Sequence, residues 1–458
     1  MEQNLNIQFL GAAGTVTGSK YLIELSGQKL LIDCGLFQGL KELRLLNWET
    51  LPFDVSSLDA VILTHGHLDH VGYLPLLVKQ GFKGKIHATE PTIEIAKLIL
   101  LDSAKIQEED AKRANQFGYS KHRPAKPLYT TEEAESVFPL FHKQELDKWT
   151  KLSDLFSFRM LYNGHILGAT FIELKAADKL IVFSGDIGRK EDPLLFSPQK
   201  PEKADVLLIE STYGGRIHSL TPEVRLAEVI NQAAHKNGTI IIPVFAVERA
   251  QLLMFYLWKL KNEGLIPDLP LYIDSPMGQD VLKIFSRHDS WHKLSHSESK
   301  EISKEIKVVS KQNETIKLAE SNAPKIILAA SGMATGGRVL TYFEYYLDQR
   351  SATILMVGFQ GEGTRGRALL DGAEEIKMRG KYWKVNADCV LVEGLSAHAD
   401  QSELIDWVNQ LTKKPEKIFI VHGEPEGSIA LKAKLLEVYG YESIIPERNA
   451  IYTIPVNF

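Results

Sequence analysis

The sequence predicts an α/β fold, and two patterns in its apolar segments support that class. Early in the chain, short runs of β-branched and aliphatic residues at 7–10, 21–25 and 30–32 are separated by glycine-containing turns, which predicts an opening β-meander. From about residue 206 onward, strand-like apolar runs alternate with helical segments, as is typical of parallel βαβ units. With 458 residues, the chain is long enough for two or three domains, so both patterns can belong to one protein.

Composition and charge exclude several classes of protein. The chain has 53 Lys and Arg against 58 Asp and Glu, and 44% of its residues are hydrophobic, as in ordinary globular proteins. This slight acidic excess argues against binding to nucleic acid or acidic lipid through bulk charge. Two cysteines, Cys34 and Cys389, are too few for a disulfide framework or a cysteine-type structural zinc site. Because no signal-peptide pattern or uncharged apolar stretch of about 18 residues is present, we expect a cytoplasmic protein with no membrane partner.

The polar motifs follow apolar strands in chain order. A buried-type strand over Ala60–Leu63 leads into a histidine-rich cluster and then into an apolar, helix-like stretch over Val71–Val78, which predicts a strand-to-helix loop for the cluster. A helix is predicted over about residues 90–116. The Lys-, Glu- and Ser-rich stretch at 295–317 is interpreted as a solvated helix or mobile excursion, without an assigned function. Further strands are predicted at 156–162, 170–174, 180–183, 206–210, 240–244, 271–273, 326–329, 354–357, 389–392 and 418–421.

The histidine-rich cluster has the spacing of a metal-ligand motif. It reads His65-Gly66-His67-Leu68-Asp69-His70, and with 14 histidines in the chain such a pattern arises by chance on the order of once in a thousand sequences. Neutral imidazole and carboxylate groups suit zinc, and one loop can direct several of them to one place. Four such ligands can serve two metal ions, and a two-metal site then needs a bridging group.

Two later residues are candidates to complete that site. His165 is flanked by glycines, which allow the backbone to approach a site closely. Asp186 follows Ser184-Gly185, and its two carboxylate oxygens can bridge two cations. A surface histidine and an Asx-turn residue are the structural alternatives for these two positions.

Taken in chain order, these motifs resemble those of the metallo-β-lactamase superfamily. The motifs of that superfamily are an aspartate after an early strand, then His-x-His-x-Asp-His, then a histidine and then an aspartate. Asp33, residues 65–70, His165 and Asp186 match them. The segments at 210–214, 396–400 and 421–423 resemble the additional motifs of the β-CASP nucleases, and similarity extends over essentially the whole chain. Further matching segments lie at 242–246, 273–277, 330–333 and 358–364. The chain is similar to compact bacterial RNA-processing enzymes, to ribonuclease J and to the catalytic core of the mRNA 3′-end endonuclease.

The resemblance implies an αββα metallo-β-lactamase sandwich with an inserted parallel βαβ β-CASP domain. The sandwich is expected to comprise residues 1–212 and 396–458, and the inserted domain residues 213–395. The resemblance further implies two zinc ions, with manganese as the alternative metal. It assigns His65, His67 and His165 to one ion, Asp69, His70 and His422 to the other, and Asp186 to both.

The remaining candidate residues concern proton transfer and substrate binding. By the resemblance, Glu210 and His398 form a proton-transfer pair, and Asp33 supports a ligand imidazole by accepting its other N–H. Glycine-rich turns after strands can bind phosphate, which makes Ser331 and Thr364, with the adjacent Arg365, candidates for RNA contact. The stretch 363–384 has a net charge of +3, which suits either steering of an RNA backbone or a solvated helical face.

The predicted function is a zinc-dependent ribonuclease acting on single-stranded RNA by a two-metal mechanism and giving 5′-phosphate and 3′-hydroxyl ends. His422 favours RNA, because DNA-acting relatives typically have valine there. The alternatives are a small-molecule metallohydrolase similar to glyoxalase II or the lactonases, a DNA-acting β-CASP nuclease, and a non-catalytic RNA-binding subunit. The sequence leaves open the choice between endonuclease and 5′-exonuclease, the native RNA, and whether the chain forms a homodimer.

Overall fold

The computed structural model describes residues 3–118, 122–219, 221–245, 247–275 and 277–457. Ala246 and Pro276, which belong to two of the matching segments, lie outside the described residues. The chain forms two compact units. Unit 1 comprises Met1–Gln38, Glu42–Ile217 and Ala397–Phe458, and unit 2 comprises Gly39–Lys41 and His218–Ser396.

The strands of the described residues are numbered in chain order. They are β1 (Gln3–Phe9), β2 (Tyr21–Leu25), β3 (Gln28–Ile32), β4 (Ala60–Ile62), β5 (Lys85–Thr89), β6 (Phe141–Gln144), β7 (Thr150–Lys151), β8 (Phe156–Tyr162), β9 (Thr170–Ala176), β10 (Lys179–Phe183), β11 (Val206–Glu210), β12 (Thr239–Pro243), β13 (Leu271–Asp274), β14 (Ile306–Val309), β15 (Lys325–Ala329), β16 (Thr353–Met356), β17 (Glu375–Met378), β18 (Lys381–Lys384), β19 (Asp388–Leu391), β20 (Lys417–Val421) and β21 (Ile451–Val456).

The α-helices are numbered in the same way. They are α1 (Lys41–Leu46), α2 (Leu68–Val71), α3 (Leu74–Lys79), α4 (Glu90–Phe117), α5 (Thr131–Glu135), α6 (Pro222–His235), α7 (Arg249–Asn262), α8 (Gly278–Arg287), α9 (His296–Glu305), α10 (Gln312–Glu320), α11 (Val339–Tyr346), α12 (Arg365–Leu370), α13 (Gln401–Trp407) and α14 (Pro425–Tyr439). Three single turns of 3-10 helix lie at Val55–Ser57, Phe138–Leu140 and Asp289–Trp291.

Unit 1 contains two sheets that share one apolar core. Their strand orders are β21-β1-β2-β3-β4-β5-β6 and β20-β11-β10-β9-β8-β7. Side chains alternate across a strand, so a strand covered on both faces must be apolar throughout. In β4, Ala60 and Ile62 join the core between the sheets, whereas Val61 joins the helix-covered core on the opposite face.

The second sheet of unit 1 shows the same division. Leu208 of β11 packs between the sheets, while Leu207 and Ile209 pack with Trp407 of α13 and Leu431 of α14. Helices therefore cover the outer face of each sheet. This gives the helix–sheet–sheet–helix order that the resemblance implied, and the predicted α/β class is confirmed.

Unit 2 is built on a parallel sheet, as the alternation of strands and helices predicted. Its strand order is β14-β13-β15-β12-β16-β19, and every pairing within it is parallel. Helix α11 packs on one face through Tyr342, Phe343 and Tyr346, which are all buried. β17 and β18 form a separate antiparallel hairpin.

Two charged stretches differ from their predicted structure. The stretch 295–317 contains not only helical residues but also strand β14, whose apolar residues Ile306 and Val309 are buried at the edge of the parallel sheet. Within 363–384, most of the positive charge lies on the β17–β18 hairpin rather than on a helical face. In both stretches, short runs of apolar residues between charges form strands because neighbouring segments supply the hydrogen bonds.

The longest described helix, α4, has 28 residues, and its C-terminal half carries many charged side chains. Among the described residues, no helix combines the length and apolar character needed to cross a membrane.

The strands of unit 1 bring the candidate ligands to one place. β3 and β4 run parallel, as do β10, β11 and β20, and β8 points the same way because two antiparallel pairings separate it from β10. Residues that follow these strands therefore emerge at common sheet edges. They are Asp33 after β3, His65 and His67 after β4, His165 after β8, Asp186 after β10, Glu210 at the end of β11, and His422 after β20.

A buried lysine supports the loop that follows β3. Lys20 is 2% exposed, and its Nζ donates a hydrogen bond to the carbonyl of Gly35 at 2.5 Å. The rings of Phe37 and Tyr73 lie 4.5 and 5.0 Å from that nitrogen. Burial lowers the pKa of Lys20 from 10.5 to about 8. The charged lysine is therefore less favourable in the folded chain than in the unfolded chain.

This pKa predicts a specific pH dependence of stability. Between pH 8 and pH 10.5 the unfolded chain keeps the Lys20 proton and the folded chain releases it, so the free energy of unfolding rises with pH. Relative to Lys20→Met, the wild type should gain up to about 3 kcal/mol across this window, which urea denaturation at a series of pH values measures. The control Lys151→Met removes a lysine whose side chain is 69% exposed and should show no such change. A parallel pH response of wild type and Lys20→Met would contradict the prediction.

Candidate metal centre

Four side chains of unit 1 direct nitrogen or oxygen atoms to one point. His65 Nε2 lies 3.1 Å from His67 Nδ1, which lies 3.2 Å from His165 Nε2. Oδ2 of Asp186 is 3.5 Å from His65 Nε2 and 3.6 Å from His165 Nε2. We call these four residues the first ligand cluster. His67 is the partly exposed member, and the other three are buried.

A second convergence lies beside the first. His70 Nε2 is 3.2 Å from His422 Nε2, and His422 Nε2 is 3.3 Å from Asp69 Oδ2. Asp69 and His70 lie in the short helix α2 rather than in the preceding loop, so one turn of helix aims them at this point. We call Asp69, His70 and His422 the second ligand cluster.

Asp186 connects the two clusters through its two oxygens. Its Oδ2 faces His65 and His165, while its Oδ1 lies 3.3 Å from His70 Nε2 and 3.4 Å from His422 Nδ1. The carboxylate is 2% exposed, so water does not solvate it freely. One oxygen of Asp186 therefore faces each ligand cluster.

Burial and neighbouring charges set the protonation of the two clusters differently. Burial lowers the pKa of His67 to about 4 and those of His65 and His165 well below the usual histidine value. For His70, burial acts in the same direction, but the carboxylates of Asp186 and Asp33 outweigh it and raise its pKa well above 6.5. The first cluster therefore offers neutral imidazoles, and the second holds positive charge that a cation can replace.

The donor set fits zinc. A tetrahedral zinc site with metal–ligand distances of about 2.1 Å has ligand atoms about 3.4 Å apart, and contacts of 3.1–3.6 Å occur within the first cluster. A neutral imidazole has only one N–H, so protons do not satisfy every short nitrogen contact in this buried cluster. A cation bound among these nitrogens would satisfy all of the contacts.

Asp33 lies within hydrogen-bond distance of His70. Its Oδ2 lies 2.7 Å from His70 Nδ1 and accepts a hydrogen bond from the Thr64 hydroxyl at 2.8 Å, and its Oδ1 accepts from the Thr64 amide at 2.7 Å. A proton on Nδ1 leaves the lone pair of His70 on Nε2, which faces the second cluster. Sequence reasoning missed Thr64; its position directly before His65 was the available signal.

The backbone around the clusters adopts conformations that only close packing maintains. Asp33 has φ of 57° and His422 has φ of 48°, in the left-handed region that is unfavourable for residues with a Cβ. A Cβ on Gly35 would lie 1.5 Å from the carbonyl oxygen of Asp69, so only glycine allows these segments to touch.

Glu210 and His398 form a hydrogen-bonded pair next to the first cluster. His398 Nδ1 lies 3.1 Å from Glu210 Oε1, and His398 Nε2 lies 4.0 Å from Asp186 Oδ2. Glu210 is fully buried and also accepts hydrogen bonds from the amides of Ile187 and Thr212. Its carboxylate therefore holds the imidazole with Nε2 turned toward the ligand clusters.

The three predicted substrate-binding residues lie in unit 2, where their side chains bond to the surrounding backbone. The Ser331 hydroxyl contacts the carbonyl and amide of Gly336. Thr364 caps helix α12 by accepting from the Arg367 amide, and it donates to Gly361. Arg365 donates to the carbonyls of Lys377, Ala334 and Thr335. Contact of these residues with RNA stays a prediction.

Replacing Asp33 with asparagine should weaken metal binding. The Asp33→Asn side chain has no charge and only one acceptor oxygen, so it cannot accept from His70 Nδ1–H and from both donors of Thr64, and it holds the tautomer of His70 less firmly. We expect about a 10–100-fold loss of zinc affinity, measured by competition with a chromophoric chelator. Asp59→Asn, on an exposed turn where the carboxylate accepts from the Lys29 amide, is the control. Equal zinc affinity of Asp33→Asn and wild type would contradict this role of Asp33.

Family models match the chain in three segments. Residues 13–215 match the metallo-beta-lactamase superfamily, residues 250–369 the Beta-Casp domain, and residues 382–446 the Zn-dependent metallo-hydrolase RNA specificity domain.

Curated proteins and a solved structure are similar over most of the chain. Ribonuclease TTHA0252 of Thermus thermophilus is 32% identical, with 94% of this chain and 96% of the relative covered. Transcription termination factor FttA of Methanosarcina mazei is 31% identical, with 95% of this chain and 69% of the relative covered. A crystal structure of an Enterococcus faecalis protein of unknown function has the same fold, with a TM-score of 0.52, 14% identity, and coverage of 98% and 100%. The resemblance indicated by the motifs is confirmed: the chain belongs to the metallo-β-lactamase superfamily and, within it, to the β-CASP metallo-hydrolases.

Proposed function

We propose that this protein is a zinc-dependent ribonuclease that cleaves single-stranded RNA with two metal ions and leaves 5′-phosphate and 3′-hydroxyl ends. The observation that carries the proposal is the position of Asp186. Its two oxygens face two separate groups of ligand atoms, and the Glu210–His398 pair lies beside them.

The two clusters divide the ligands between the two ions. His65, His67 and His165 would hold one ion and Asp69, His70 and His422 the other, with Asp186 shared between them. Bound zinc ions supply a water molecule of lowered pKa and neutralise charge on the phosphate oxygens. His67 and Asp69, which are partly exposed, mark the side of the site that substrate can reach.

His398 supplies the proton that the leaving group needs. Hydroxide, formed when water gives a proton to solvent, attacks phosphorus; the bond from phosphorus to the 3′-oxygen breaks, and that oxygen takes the proton from His398 Nε2. Glu210 stabilises the protonated imidazole, because its buried carboxylate accepts the Nδ1–H. The pair lies close enough to Asp186 for this transfer to occur at the ligand clusters.

Four observations support RNA as the substrate. The family description that matches residues 382–446 refers to RNA specificity, and the bacterial relative is named a ribonuclease. The archaeal relative, a transcription termination factor, is consistent with action on transcripts. His422 belongs to the second ligand cluster, and histidine at this position is what the resemblance associates with enzymes that act on RNA. Residues Ser331, Thr364 and Arg365 of unit 2 are proposed to contact the RNA backbone.

Metal removal and ligand substitution test the proposed metal count. Elemental analysis should find two zinc ions per chain, and a chelator should remove both the zinc and RNA cleavage, which two equivalents of zinc restore. His67→Ala should bind less zinc and lose cleavage, because it removes one donor from the first cluster. His142→Ala, an exposed histidine on β6, is the matched control and should keep both. A single bound ion in fully active wild type would contradict the two-metal proposal.

The role of His398 predicts a loss of rate without a loss of metal. His398→Ala should slow cleavage by about 10²–10⁴-fold, the usual contribution of general acid catalysis, while zinc content stays at the wild-type value. The measurement is a sequencing gel with 5′-labelled single-stranded RNA, and the products should carry 5′-phosphate. RNA with a blocked 5′ end distinguishes internal cleavage from 5′-exonuclease action.

The same assay separates the alternatives. Equal cleavage of matched DNA would favour a DNA-acting enzyme. Hydrolysis of thioesters or lactones without RNA cleavage would favour a small-molecule hydrolase. Unchanged RNA cleavage by His398→Ala would exclude His398 as the proton donor.

A further inference from the structure

Asn163 connects the loop of His165 with the loop of Asp186. It is fully buried, and its Nδ2 donates hydrogen bonds to the carbonyls of Ser184 at 2.7 Å and Asp186 at 2.6 Å. Its backbone carbonyl accepts from the Gly188 amide at 2.9 Å. A Cβ on Gly188 would lie 2.1 Å from the carbonyl carbon of Gly164, so the two loops touch directly.

The hydrogen bonds determine the orientation of the Asn163 amide. Both N–H groups of Nδ2 point to carbonyl oxygens, and a flipped amide would place Oδ1 against the same two acceptors. Oδ1 is therefore an acceptor. Within the described residues it has no hydrogen-bond partner.

His165, two residues further along the same loop, presents the complementary group. Its Nε2 belongs to the first ligand cluster, so a neutral ring that offers a lone pair there carries its proton on Nδ1. His165 is 1% exposed, and its Nδ1 also lacks a hydrogen-bond partner among the described residues. A buried donor or acceptor that is left without a hydrogen-bond partner destabilises the folded chain.

We propose that Asn163 is a positioning residue for the first ligand cluster, a proposal that rests on the proposed zinc-dependent function. Asn163 Oδ1 accepts the Nδ1–H of His165 through one buried water and so keeps the lone pair on Nε2. The same side chain also holds the turn of Asp186, because its Nδ2 donates hydrogen bonds to the backbone carbonyls of Ser184 and Asp186. One buried amide thus sets both the tautomer of His165 and its separation from the bridging carboxylate.

The proposal predicts a larger effect on one of the two ions. Asn163→Ala should weaken zinc binding at the first ligand cluster by about 10–100-fold, the usual effect of removing a group that orients a metal-bound histidine. Zinc binding at the second ligand cluster should be affected less, because the side chain of Asn163 is connected to that cluster only through the turn of Asp186.

Zinc titration against a chromophoric chelator measures the two affinities, and Co²⁺ absorption reports the geometry of the occupied sites. Asn47→Ala is the matched control, since Asn47 is a buried asparagine of unit 1 whose amide bonds to both backbone groups of Phe37. Both variants should lower the unfolding temperature of the zinc-free protein. Only Asn163→Ala should weaken the binding of zinc at the first ligand cluster and alter the Co²⁺ spectrum. Wild-type affinity for both ions in folded Asn163→Ala would overturn the proposal.

A second measurement needs no Asn163 variant. In zinc-loaded wild type labelled with ¹⁵N-histidine, the Nδ1–H of His165, assigned with His165→Ala, should give a slowly exchanging proton signal. Rapid exchange or a proton on Nε2 would overturn the proposal. Because neither measurement uses RNA, wild type that binds two zinc ions without cleaving RNA contradicts only the proposed ribonuclease function. Wild type that leaves the first ligand cluster without zinc contradicts both.

Discussion

The carboxylate of Asp186 is the interaction on which the site depends. It is 2% exposed and lies within 3.6 Å of nitrogens from four histidines, His65, His70, His165 and His422. A buried negative charge is costly unless opposite charge surrounds it, and here burial, which raises its pKa, is outweighed by the histidines, which hold it well below the usual value. Two cations, one for each oxygen, satisfy this requirement more completely than protons do.

The fold explains how so many polar groups come together in the interior. Two sheets pack face to face in unit 1, and strands such as β4 and β11 are apolar on both faces because helices cover the outside. The polar side chains of the site lie instead at the ends of strands, where parallel neighbours bring them to one edge. Surrounding groups then hydrogen-bond to these side chains: Asp33, held by Thr64, contacts His70, and Glu210 contacts His398.

The limits of sequence-based prediction are seen in particular residues. Asp33, His165 and His422 were assigned from ordered motifs, and each lies where a metal ligand or its support is expected. Thr64 and Asn163 were not assigned a role, because their contribution depends on which atoms face them across the fold. Ser331, Thr364 and Arg365 have the residue types of a phosphate site, but their present hydrogen bonds go to nearby backbone.

By itself, the sequence determined the α/β class, the family and the set of metal-ligand candidates. Local spacing, such as that from His65 to His70, and the order of the motifs can be read directly from the sequence. The resemblance also implied how the ligands divide, but only the tertiary structure decided which of their atoms face one another. His422 joins His70 although 352 positions separate them, and the two oxygens of Asp186 face different clusters. It also decided that strand β14 forms within a charged stretch. The physical reason is the same in each case: hydrogen bonds and ligand contacts depend on distance in space, and strand pairing brings together residues that are remote in the chain.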